Sequence, residues 1–101
     1  MKLRSTVGSG SNGRAIRCIV AGRVQGVYFR AAAAERAVAL ELRGWVRNLP
    51  DGRIETVAAG SMDALIEFAA WLWQGPPAAR VDSVQVEDWS DAVPDGFDVQ
   101  R

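Results

Sequence analysis

Histidine is absent from this 101-residue chain, and cysteine occurs once, at Cys18. Without histidine there is no Ser-His-Asp or Cys-His catalytic arrangement and no ordinary neutral-pH base. A lone cysteine cannot close an internal disulfide, and with no Cys/His cluster a structural zinc site is excluded. Long apolar runs are missing too. Nothing approaches the ~20 residues needed to cross a bilayer, and the N-terminus lacks the continuous apolar stretch of a secretory leader. Cytoplasmic residence without membrane attachment is the expectation. Excess charge of either sign is also lacking: twelve basic and twelve acidic residues give a formal net charge of zero. That balance argues against a protein whose main work is coating nucleic acid. What is present is an ordinary globular composition, 49% apolar and 24% charged, in a chain long enough for one hydrophobic core. So small a fold is expected to act as a monomer.

The neutral total conceals a gradient. Through Glu55 the chain carries ten basic residues and four acidic ones, whereas beyond it only Arg80 and Arg101 oppose eight acidic residues. A small anion would therefore favour the N-terminal half. Residues 1–14, with Gly8, Ser9, Gly10, Ser11, Asn12 and Gly13, bury too little apolar surface to offset their ordering entropy and read as a flexible tail. Residues 15–101 read as one domain.

Within that domain, Ile16, Cys18 and Val20 alternate with Ile19 and Ala21, as in a central strand covered on both faces. Phe29, Ala33, Ala37 and Leu40 then recur at helical spacing, reinforced by the alanine run 31–34. A short strand begins near Gly44, Asp51-Gly52 suits a turn, and residues 53–59 should return as its hairpin partner. A second helix starts after Ser61, a hydroxyl cap, with Leu65, Phe68, Ala69 and Leu72 inward, and Gly75-Pro76-Pro77 ends it. Residues 81–89 form another strand, and a short last one lies around Phe97 and Val99. Strand, helix, strand, strand, helix, strand is the split βαβ order, predicting a ferredoxin-like α+β sandwich: an antiparallel sheet with two helices on one face and a short extra C-terminal strand. Cys18 is expected in the core, Trp45 and Trp73 in core or edge packing, and Trp71 at the border of the polar face.

Two segments have chemical content. Gly22-Arg23-Val24-Gln25-Gly26-Val27-Tyr28-Phe29-Arg30 joins the first strand to the first helix. Its glycines let backbone N–H groups turn toward a ligand, the helix beyond offers unsatisfied donors and a positive dipole end, and Arg30 lies in the first turn. An arginine fork matches phosphate oxygens in two parallel, charge-assisted hydrogen bonds. In Gly44-Trp45-Val46-Arg47-Asn48 the asparagine cannot act as a base, but its carboxamide can hold a water or steady an oxyanion. Read singly, the first is also compatible with a tight turn and a solvated arginine, and the second with a hydrogen bond inside a turn. Arg23 and Arg47 suit steering of an anion or plain solubility.

Together the two segments, with Asp51-Gly52 and Gly75-Pro76-Pro77-Ala78, resemble the acylphosphatase family from about Ala15 to Val99. The resemblance implies a ferredoxin-like hydrolase that splits acyl phosphates into a carboxylate and inorganic phosphate, needing no cofactor or metal. It implies that the loop of Arg23, Val24, Gln25, Gly26, Val27 and Tyr28 cradles phosphate, that Arg30 binds it, and that Asn48 positions the attacking water. Glu41 departs from the family pattern, where glycine usually ends the first helix, and puts helix termination in question. The alternatives are a phosphate-binding regulatory module of the same fold and, less well matched, an RNA binder. The latter would carry stacking aromatics on a central strand, whereas residues 53–59 contain none.

Overall fold

The computed structural model describes residues 13–101. Of the expected tail, residues 1–12 lie outside the described residues, and Arg14 already opens the first strand. The elements run β1 (Arg14–Arg23), α1 (Phe29–Ala39), β2 (Arg43–Asn48), β3 (Ile54–Gly60), α2 (Met62–Gln74), β4 (Arg80–Asp88) and β5 (Phe97–Val99). The sheet order is β4-β1-β3-β2-β5. As its two-sided apolar pattern predicts, β1 is internal, antiparallel to both β3 and β4.

One expectation needs qualifying. The sheet is mixed, because β5 pairs parallel with β2, Gly44 opposite Phe97 and Val46 opposite Val99. The cause is topological. β4 finishes at the end of the sheet where β2 begins, so once residues 89–96 have crossed to the far edge, β5 must run the same way as β2.

Both helices cover one face. Phe29, Ala33 and Ala37 of α1 and Ala64, Leu65, Phe68 and Leu72 of α2 form a single buried cluster with Cys18, Val20, Val46, Ile54 and Ala58. Burial pushes the Cys18 thiol up to about 12, which makes it an inert core group, as its alternation in β1 predicts. Trp45 meets Trp89 edge to face at 6.2 Å, and Trp71 packs on Phe29 with ring centroids 5.6 Å apart. Trp73 is not packed as expected: it is 53% exposed. Met62, Ile66 and Trp73 form a second apolar stripe along α2 that faces outward, so periodicity alone could not say which stripe is buried.

Helix α1 ends in a Schellman arrangement, Leu42 N–H donating to Ala37 O at 2.9 Å and Glu41 N–H to Val38 O at 3.0 Å. Glu41 takes the left-handed conformation, φ 60°, that glycine would adopt at no steric cost. The helix terminates where the pattern requires, with the strain carried by an ordinary side chain.

Candidate active site

The ends of β1, β2 and β5 and the starts of β3 and β4 all lie at one end of the sheet, and the loop 24–28 crosses there to reach α1. Gly26 has φ 74° with open space where a Cβ would stand, so glycine is favoured for its backbone conformation rather than for lack of room. Tyr28 is also left-handed, φ 68°, and is the N-cap residue of α1, yet its side chain caps nothing, and no acidic residue occupies the first turn. Its hydroxyl instead donates to Glu35 at 3.1 Å. The hydrogen bond to Glu35 holds the Tyr28 phenol above its ordinary titration range. Among the described residues no side chain accepts from the first N–H groups of α1, while the helix dipole adds positive potential in front of them.

A cavity of about 190 Å³ lies at this helix start. The loop and first turn supply Val24, Gly26, Tyr28, Phe29, Arg30 and Ala31. Strand β2 contributes Asn48, and β5 contributes Val99. Arg30 is held by Nη1–H donation to Gln100 O at 2.7 Å, which leaves its other N–H groups for a ligand. Asn48 Oδ1 is buried without a hydrogen-bond partner. A buried acceptor left unpaired costs about 1–3 kcal/mol, and this one belongs to a residue that lines the cavity. Among the described residues the other such atom is Trp89 Nε1, at the opposite end of the sheet. Larger clefts exist, one of about 550 Å³ beside Trp89. Size does not select the site; convergence of an open helix start, a guanidinium and an orphaned carbonyl does.

The structure thus brings Arg30 and Asn48 to one cavity, with Val24, Gly26 and Tyr28. It does not bring Arg23, Gln25 or Val27 to that lining. Arg23 faces a separate cleft with Arg53 and Arg80. Val27 packs against the core. Gln25 turns its amide the other way, donating Nε2–H to Leu49 O at 2.9 Å and Arg53 O at 3.0 Å. It thereby ties the loop to the β2–β3 turn that follows Asn48. Next to Asn48, Arg47 Nε donates to the buried Glu55 carboxylate at 2.6 Å, and Arg17 binds the other oxygen. Burial alone would raise the Glu55 titration range, but hydrogen bonds and charge from the two arginines outweigh it and hold the carboxyl below its ordinary value.

Val99 and the Gln100 carbonyl were not foreseen. Val99 could have been suspected from its place in the last strand, whereas a backbone carbonyl 70 residues from Arg30 leaves no signature in residue type. Among the described residues there is no group of three or more Cys, Asp or Glu side chains arranged to hold a metal, and no helix is long and apolar enough to cross a membrane.

The Acylphosphatase family profile matches residues 16–99. An acylphosphatase of Nitrosococcus oceani is 54% identical over 72 residues, 71% of this chain and 81% of the relative. One from Halorhodospira halophila is 51% identical over 83 residues, 82% and 90% respectively. The solved structure of an acylphosphatase from Coxiella burnetii superposes with a TM-score of 0.87 at 39% identity, covering 92% of this chain and 98% of that one. With the profile spanning both the loop 24–28 and Asn48, the chain belongs to the acylphosphatase family.

Proposed function

We propose that this cavity is the catalytic centre of an acylphosphatase, hydrolysing the carboxyl-phosphate bond of small acyl phosphates. The observation that carries the reading is that Arg30 and Asn48, whose Oδ1 is buried without a partner, line one cavity at an uncapped helix start. Phosphoryl transfer asks the protein mainly for positioning and for charge stabilisation at the equatorial oxygens. The loop amides and the free N–H groups of Arg30 supply both. Asn48 Oδ1 accepts from a water and aims it in line with the bond to be broken. The water oxygen bonds to phosphorus, the acyl oxygen leaves with its electron pair as a carboxylate, and the water's proton passes to a phosphate oxygen. A carboxylate leaves without protonation, so the missing histidine is no handicap, and no metal is invoked. Val24 and Gly26 contribute as cradle, with Tyr28 at its rim. Arg23, Gln25 and Val27 act through backbone and support, Gln25 by its clamp on the β2–β3 turn. The protein on this reading is a monomer working in the cytoplasm on a small diffusing substrate, with no nucleic acid involved.

The test is steady-state hydrolysis of benzoyl phosphate, with phenyl phosphate as the monoester control and inorganic phosphate as competitor. Turnover of the anhydride but not the monoester is expected, with competitive inhibition by phosphate. Phosphate binding without turnover would instead leave a phosphate-responsive module.

A further inference from the structure

On the far side of the phosphate loop lies a second cleft, of about 460 Å³, where the end of β1, the β2–β3 turn and the start of β4 meet. Arg23, Arg53 and Arg80 surround it, with Asp51 and Asp82. Both carboxylates are already engaged: Asp51 Oδ2 accepts from Arg53 Nε at 2.8 Å, and Asp82 lies 3.4 Å from Arg80 Nε. The guanidinium groups of Arg53 and Arg80 keep further donors, and among the described residues Arg23 has no ion-pair partner. The cleft is left with an excess of positive charge.

The backbone enforces that excess. Ala21 pairs with Ser83, but Gly22 pairs with Val81, so Asp82 is skipped and Arg23 falls directly opposite Arg80. Like charges in that position repel. Gly22 has φ 134°, and a Cβ there would stand 2.1 Å from Arg80 O, so the close approach requires glycine. Bulges beside active sites re-aim side chains, and this one sets the two arginines opposite one another across the strand pair. Arg23 is the chain neighbour of Val24, which lines the phosphate cavity, and consecutive Cα atoms are about 3.8 Å apart. The two cavities thus flank the same loop, on either side of the Arg23–Val24 step.

We infer that this arginine cleft receives an anionic group carried on the acyl part of the substrate, so that acyl phosphates with a second negative charge are preferred. The inference rests on the functional reading above and extends it to the half of the substrate that the catalytic cavity does not touch. Benzoyl phosphate and its 3- and 4-carboxylate derivatives test it. A carboxylate derivative should show a kcat/KM about fivefold higher than benzoyl phosphate, the range expected for a partly exposed charge pair, and the advantage should shrink with salt. Arg80→Gln should abolish the preference and leave benzoyl phosphate turnover unchanged, whereas Arg36→Gln, on α1, should keep it. Absence of any preference in the unaltered enzyme, or equal loss in Arg36→Gln, would overturn the cleft and leave the hydrolase standing. Failure to hydrolyse benzoyl phosphate at all would remove the functional reading, and this inference with it.

Discussion

The two helices begin in opposite ways. At α2, Ser61 accepts from Ala64 N–H at 3.1 Å and Asp63 stands in the first turn, so the helix supplies its own acceptor and its own negative charge. At α1, a left-handed tyrosine occupies the cap position and supplies neither. The same chain knows how to close a helix start and closes only one. A capped start contributes about 1 kcal/mol to stability; the open one forgoes that gain and keeps donors and dipole for an anion. On the proposed function, stability and anion binding are divided between the two helix starts.

The comparison is tested most severely at Arg30. Arg30→Gln should lower kcat/KM for benzoyl phosphate by about 10³-fold, on the scale of phosphate-binding arginines elsewhere, and abolish inhibition by inorganic phosphate. Asn48→Ala should lower kcat by about 10²-fold while the phosphate inhibition constant stays within about twofold. Its melting temperature should not fall, because the substitution removes an unpaired buried acceptor. A fully active Asn48→Ala enzyme would sink the water-positioning role. Tyr28→Asp makes α1 resemble α2 by setting a carboxylate at its open start; KM should rise about tenfold, on the scale of helix-terminus charge effects. The mirror experiment, Ser61→Ala, should cost about 1 kcal/mol, lowering the melting temperature by about 4–8 °C, with kcat/KM untouched. Smallest of all, Glu41→Gly relieves the left-handed residue after α1 and should gain up to about 1 kcal/mol in urea unfolding without altering turnover.

Much of this was legible in the sequence because the site is built from local chemistry. A glycine-bearing loop running into a helix, an arginine in its first turn and an asparagine at a strand end are visible in the spacing, and the resemblance to the acylphosphatase family gives them their roles. Helical stripes placed Phe29, Ala33, Ala37, Leu65, Phe68 and Leu72 in the core correctly. What escaped was what depends on distant partners. The direction of β5 follows from where β4 happens to end. The Gln25 clamp and the Gln100 carbonyl bind backbone atoms, which every residue possesses. Trp73 misled because α2 carries apolar residues on two sides, and only the sheet decides which is covered.

The grip on Arg30 by Gln100 O also has a temporal meaning. During synthesis the phosphate loop and Arg30 emerge from the ribosome long before residue 100, and the guanidinium cannot be anchored until the last strand has joined β2. On the proposed role of Arg30, recovery of turnover after dilution from denaturant should wait for docking of β5, whereas recovery of helical content should not.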